Sequence, residues 1–130
     1  MKRISSKHII ILADSCYSGT LTRKAVTDIL PSQERNRYIA KMLKKNSRTL
    51  LASGGNEPVS DSGGQGQSVF ASAFIEGLQN MEKTAFTAEE LFYEHIKEQV
   101  AENAEQVPEY NTIRNSGHNG GDFVFIRVKH

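Results

Sequence analysis

The single cysteine of the chain, Cys16, lies where a sequence could provide a nucleophile. It follows an apolar run at residues 9–12, and its nearest neighbours include the small polar residues Asp14, Ser15 and Ser18. A thiol reacts as its thiolate, which requires exposure and a polar setting. Cys16 is therefore a candidate nucleophile. The alternative is a small buried side chain, which is the commonest state of a free cysteine.

The apolar run predicts a strand over residues 9–14 that is buried on both faces, as in a parallel sheet covered by helices. Strands are also predicted at residues 48–53 and 123–128, and helices at 32–46, 68–80 and 87–103. Residues 87 and 90 form the pattern of a capping box. This order predicts one α/β, doubly wound domain over residues 1–130. Cys16 then follows the carboxyl end of the first strand, where open α/β sheets place their ligands.

Composition limits the classes of partner and compartment. The chain has 130 residues, of which 38% are hydrophobic and 24% charged, which suits one globular domain. A net charge of +1 without long runs of one sign argues against nucleic acid or a membrane surface as partner. One cysteine cannot form an internal disulfide, which predicts a cytoplasmic protein. No residues have the spacing of a metal site, so no cofactor is predicted.

A family resemblance is carried first by the stretch KHIIILADSCYSGTL. It resembles the nucleophile strand of the caspase-like cysteine peptidases, and its Asp-Ser-Cys-x-Ser-Gly pattern is similar to that of bacterial and metacaspase-type members. Two further blocks resemble that family in the same order, residues 49–55 through 68–70 and residues 117–125. The resemblance implies a caspase-like, mostly parallel sheet with helices on both faces, in which the last strand closes the sheet.

The resemblance also implies roles for particular residues. In that family a cysteine thiolate attacks a peptide carbonyl while a histidine transfers the proton. Cys16 matches the nucleophile, and Asp14 and Ser53 match residues that line a pocket for an arginine or lysine side chain of the substrate. Asp61 is a second candidate carboxylate for this pocket, with a solvated loop residue as the alternative. Some metacaspase relatives depend on calcium, but no ligands for it can be assigned in this chain.

The catalytic histidine that the resemblance implies has no matching residue in this chain. It lies roughly 50 residues before the cysteine in caspases, whereas fifteen residues precede Cys16. His8 is roughly 26 Å from Cys16 along an extended strand, His95 lies within a predicted helix, and His130 is the final residue. His118 lies in the loop before the last strand, which an antiparallel last strand would bring to the catalytic side. We expect it to serve there as loop structure or pocket wall.

The resemblance, together with the missing histidine, implies the carboxyl-terminal part of a caspase-like cysteine endopeptidase that cleaves after arginine or lysine and lacks the amino-terminal strands. Its expected partners are a peptide or protein substrate with a basic residue at the cleavage site, and a His-bearing amino-terminal segment of the same domain. The alternative is a catalytically inactive caspase-like module with a regulatory or assembly role.

Overall fold

A computed structural model describes residues 4–14, 22–24, 34–54, 68–103 and 107–128. Its strands are β1 (His8–Ala13), β2 (Thr22–Lys24), β3 (Ser47–Ala52), β4 (Ala85–Thr87), β5 (Glu109–Ile113) and β6 (Val124–Ile126). Its helices are α1 (Arg35–Lys44), α2 (Val69–Asn80), α3 (Ala88–Leu91) and α4 (Lys97–Asn103). A π-helical turn, Phe92–Ile96, joins the last two into one continuous helix. The described residues are therefore a mixture of strands and helices, which is compatible with the predicted α/β class.

The main sheet has four strands in the order β1-β3-β5-β2. β1 and β3 are parallel, whereas β5 is antiparallel to both of its neighbours. Among the described strands the sheet is therefore mixed, and the expectation of a mostly parallel sheet is wrong for them. The sequence pattern missed β5 because Pro108 indicates a loop and the strand that follows, EYNTI, alternates only weakly.

The last strand occupies a different place from the one predicted. β6 pairs antiparallel with β4, and the two form a separate two-stranded sheet. The Ala88 N–H donates to the Phe123 carbonyl at 2.8 Å, and the Arg127 N–H donates to the Thr84 carbonyl at 2.8 Å. The expectation that this strand closes the main sheet is therefore wrong. β4 has only three residues, which is too short to show a strand period in the sequence.

β1 forms one edge of the main sheet among the described strands. Every residue of β3 is buried, but Ile11 and Leu12 of β1 are 40% and 44% exposed. The prediction that this first strand is buried on both faces is wrong for the described part of the chain. The physical reason is that β1 is an edge strand: among the described strands only β3 pairs with it, and its other side has no neighbour.

The hydrophobic core lies between α2, the α3–α4 helix and one face of the main sheet. Leu51 and Tyr110 are paired in register across β3 and β5, so their side chains point to the same face. The helices contribute most of the other members. The core consists of Leu51, Val69, Phe70, Ala73, Met81, Phe86, Ala88, Leu91, Phe92, Ile96, Val100 and Tyr110.

A buried carboxyl, that of Asp122, anchors the segment before β6 to the start of α3. It accepts hydrogen bonds from the Tyr110 hydroxyl, from the Glu89 N–H at 3.2 Å and from the Phe123 N–H at 2.8 Å. Burial raises the pKa of Asp122 even though these donors favour its charged form. Such a group needs its partners, because a buried carboxyl without donors is strongly destabilising.

The predicted capping box at the start of α3 is present and carries an ionic cluster. The Thr87 side chain accepts from the Glu90 N–H at 3.2 Å, and Glu90 accepts from the Thr87 N–H at 3.0 Å. Arg35 also donates to both Glu90 oxygens, at 2.6 and 2.9 Å, and Lys83 donates to one at 3.1 Å. Burial by itself would raise the pKa of Glu90, but these donors outweigh it and lower the pKa to about 2.

This pKa predicts an acid-sensitive contribution to stability. Glu90 binds a proton more readily in the unfolded chain, with a pKa near 4.5, than in the folded chain, with a pKa of about 2. Its stabilisation is therefore present above about pH 5 and is lost as the pH falls toward 2. We expect a loss of about 2–3 kcal/mol in the free energy of unfolding over this range. Urea denaturation of the wild type and of Glu90→Gln at several pH values measures it. The variant should be less stable at pH 7 and lose less on acidification. Equal pH slopes for the two proteins would contradict the assignment.

Candidate functional site

The carboxyl ends of β1 and β3 meet at one edge of the main sheet. The parallel register pairs Ala13 with Ala52, so the next residues, Asp14 and Ser53, follow side by side. The Ser53 N–H donates to the Ala13 carbonyl at 2.9 Å and extends the ladder to this point. Asp14 is exposed, whereas Ser53 is only 1% exposed. This edge therefore presents a carboxylate to solvent beside a buried serine.

A second serine, Ser68, reaches the same edge from α2. It is the N-cap of α2, and its hydroxyl oxygen accepts the Ala71 N–H at 2.9 Å. The same hydroxyl donates to the Asp14 carboxylate. The sequence indicated Ser68 only as a helix start. The order of elements nevertheless indicated the position of Ser68, because a helix that follows a parallel strand begins on the side of the sheet where the parallel strands end.

The turn after β3 is held in place by a close approach of two backbones. Gly54 has φ of +75°, and a Cβ atom on it would lie 1.9 Å from the Val107 carbonyl oxygen. Only glycine fits such a position, on grounds of both conformation and space. The segment it contacts leads into β5, whose first residue, Glu109, is exposed and pairs with Ala52. The start of an antiparallel strand thus completes this edge, which we call the carboxyl edge.

Two of the sequence-predicted site residues, Cys16 and Asp61, lie outside the described residues. Their roles as nucleophile and second pocket carboxylate stay predictions. Asp14 and Ser53 lie within the described part, and the fold brings them together at the carboxyl edge.

Two histidines lie at the opposite end of the strands, where β1 and β3 begin. His8 begins β1, and its Nε2–H donates to the carbonyls of Met42 and Lys45 at 2.9 and 3.1 Å. His118 Nδ1 accepts the Arg48 N–H at 2.9 Å, near the start of β3. Five residues of strand separate Arg48 from Ser53, or about 17 Å. The expectation that the loop carrying His118 lies on the catalytic side is therefore wrong, because β6 pairs with β4 instead of joining the main sheet.

The surroundings of His118 favour its neutral form. Burial lowers the pKa of the imidazole, and the nearby Arg48 charge lowers it further. Because Nδ1 accepts a hydrogen bond, the proton of the neutral ring is on Nε2. This histidine is thus a structural acceptor for the β3 backbone.

His95 lies against α2. It lies in the π-helical turn, and a Cβ atom on Gly77 of α2 would approach its Cβ atom to 2.9 Å. The remaining histidine, His130, lies outside the described residues.

The described residues contain neither a cluster of metal ligands nor a membrane-spanning helix. In that part of the chain no group of three or more His, Cys, Asp or Glu side chains converges as metal ligands would. No helix within the described ranges combines the length and apolar character that crossing a bilayer requires.

Comparisons of the chain with protein-family models, with curated proteins and with solved structures give no match. Support for a function therefore comes from the geometry of the carboxyl edge and from the residues that carry the family resemblance.

Proposed function

We propose that this chain is the nucleophile-bearing part of a caspase-like cysteine endopeptidase that cleaves after arginine or lysine in the cytoplasm. The observation that carries the proposal is the position of Asp14 beside Ser53, at the carboxyl edge of a parallel strand pair and two residues before Cys16. Two residues of chain span at most about 7 Å. A substrate whose basic side chain pairs with Asp14 therefore lies within reach of the Cys16 thiol.

The proposed reaction uses protein groups and water. The base takes the proton of the Cys16 thiol, and the thiolate attacks the scissile carbonyl carbon to form a C–S bond. The charge that develops on the carbonyl oxygen is held by backbone N–H groups, among them that of Cys16. Collapse breaks the C–N bond, and the amine leaves with the proton that the base returns. Water then hydrolyses the thioester and regenerates the thiol.

Specificity for a basic residue follows from the exposed carboxylate of Asp14. A guanidinium or ammonium group forms charge-assisted hydrogen bonds with a carboxylate, which an apolar side chain cannot replace. The buried Ser53 forms part of the wall beside it. Asp61 is the proposed second carboxylate of this pocket.

The base is proposed to come from a His-bearing amino-terminal segment of the same domain. Both His8 and His118 are hydrogen bonded at the opposite end of the strands, about 17 Å away along β3. β1 supplies the docking site in this proposal, because its outer side has no partner strand among the described residues. An added strand there would pair with the β1 backbone and cover the exposed Ile11 and Leu12.

A catalytically inactive caspase-like module with a regulatory or assembly role is the second candidate. The placement of His8 and His118 favours it, since neither side chain can serve as a base at the carboxyl edge. In this case Cys16 would have ordinary thiol reactivity and no preference among substrate side chains.

Affinity labelling separates the two candidates. At a pH near the ordinary thiol pKa of about 8.5 the buffer takes the proton of Cys16. The thiolate then displaces chloride from an arginyl chloromethyl ketone and forms a C–S bond, so this labelling requires no catalytic base from the protein. We expect mass spectrometry to find the label on Cys16 and the arginyl reagent to react at least tenfold faster than its leucyl counterpart. Iodoacetamide measures the intrinsic reactivity of the thiol, and Cys16→Ser is the blank. Equal rates for the two ketones, or no label on Cys16, would contradict the peptidase proposal.

A further inference from the structure

We infer that Ser68 is a positioning residue for Asp14, holding one oxygen of its carboxylate so that the other faces the basic side chain of a substrate. This inference rests on the proposed function. It assigns a role in specificity to a residue that no sequence pattern connects with the nucleophile motif, because Ser68 and Asp14 are 54 residues apart.

The hydroxyl of Ser68 has the capacity for both of its contacts. A serine hydroxyl carries one proton and two lone pairs. One lone pair accepts the Ala71 N–H at 2.9 Å, which caps α2. The proton is donated to Oδ2 of Asp14. One side chain therefore provides a hydrogen bond both to the Ala71 N–H and to the Asp14 carboxylate.

The difference in exposure between Ser68 and Asp14 shows from which side the hydroxyl contacts the carboxylate. Ser68 is 6% exposed, whereas Asp14 is exposed. The hydroxyl therefore meets the carboxylate from the protein side. Among the described residues no hydrogen bond is made to Oδ1 of Asp14, and the inference assigns this oxygen to the substrate. Ser68 is itself fixed, because the next two residues, Val69 and Phe70, belong to the hydrophobic core.

Capping α2 does not require the bond to Asp14. An N-cap needs only an acceptor for an N–H group of the first turn, and glycine at this position costs little. The donation to Asp14 is an additional use of the hydroxyl. The amino end of α2, with its partial positive charge, also favours a carboxylate beside it. Capping and positioning can therefore be separated by substitution.

The test compares three variants by their labelling kinetics. Ser68→Gly removes the hydroxyl at small cost to the cap, and Ser68→Thr retains it. Thr87→Ala removes the cap of α3, which does not contact Asp14. For Ser68→Gly we expect KI of the arginyl ketone to rise about three- to tenfold, while its maximal rate changes little. The rates with the leucyl ketone and iodoacetamide should stay at wild-type values. Ser68→Thr should restore the preference, and Thr87→Ala should leave it intact.

The outcomes distinguish this inference from the proposed function. If the wild type prefers the arginyl reagent and Asp14→Ala loses that preference, but folded Ser68→Gly keeps it, the positioning role is wrong and the proposed function stands. If the wild type has no preference, the proposed function is wrong and the inference falls with it. If Ser68→Gly does not fold, a crystal structure of the wild-type arginyl adduct decides. Ser68 Oγ bonded to Asp14 Oδ2 with the guanidinium on Oδ1 supports the inference, and displacement of Ser68 from Asp14 overturns it.

Discussion

Replacement of Asp14 by alanine is expected to reduce the preference of Cys16 for arginyl over leucyl chloromethyl ketone by about tenfold to a hundredfold. A hydrogen bond to a charged group contributes about 1.5–3 kcal/mol, and each 1.4 kcal/mol corresponds to a factor of ten. Asp14 is exposed at the carboxyl edge, so a substrate can reach it directly. The second-order rates of labelling by the two reagents measure the effect. The rate with iodoacetamide should not change.

Glu109→Gln is the matched control for Asp14. Glu109 is an exposed carboxylate at the same edge, two strands from Asp14, or about 10 Å away. Removing its charge should leave the preference for the arginyl reagent unchanged. If both variants lose the preference equally, it arises from the general negative charge of the edge. If Asp14→Ala retains it, Asp14 does not bind the basic side chain.

Gly54→Ala is expected to lower the free energy of unfolding by about 3–5 kcal/mol and to weaken the preference for the arginyl reagent. The new methyl group would lie 1.9 Å from the Val107 carbonyl oxygen, so the backbone must move. The φ of +75° adds the strain of a side chain in the left-handed region. Because Ser53 precedes Gly54, the displaced turn also shifts the wall beside Asp14. Urea denaturation and the labelling rates measure the two effects.

Gly117→Ala separates conformational strain from the close approach. Gly117 has φ of +93°, but a Cβ atom on it would meet no atom within 4 Å. Its replacement should cost only the strain, about 1–2 kcal/mol. If the two alanine variants are equally destabilised, the contact between Gly54 and Val107 has no energetic weight, and the turn is not held as described.

Local signals predicted several elements of the fold. The apolar run before Asp14 indicated β1, and the structure begins and ends that strand one residue earlier than expected. The predicted start of α2 holds because the Ser68 side chain caps the helix, and the Thr87–Glu90 pattern forms the expected capping box. Each of these features depends on residues within a few positions of one another, which a single sequence displays.

Long-range pairings could not be predicted in this way. The β4–β6 sheet joins two three-residue strands that lie far apart in the sequence. β6 lies within the strand predicted at residues 123–128, but β4 was not predicted, so the partner of β6 could not be identified. Because β6 pairs there, His118 lies near the start of β3 instead of at the carboxyl edge. The contact between Ser68 and Asp14 depends on where α2 begins relative to β1, which is a property of the assembled fold. A motif could identify Asp14 as a pocket residue, but not the side chain that holds it.

A crystal structure of the chain alkylated by arginyl chloromethyl ketone tests the central claim most directly, because it shows where the basic side chain binds when Cys16 has reacted. We expect a thioether at Cys16 Sγ and guanidinium nitrogens about 2.7–3.0 Å from the Asp14 carboxylate, with Ser53 beside them. A thioether at Cys16 with the guanidinium bound elsewhere would contradict the specificity pocket. Absence of the adduct from Cys16 would contradict its assignment as the nucleophile.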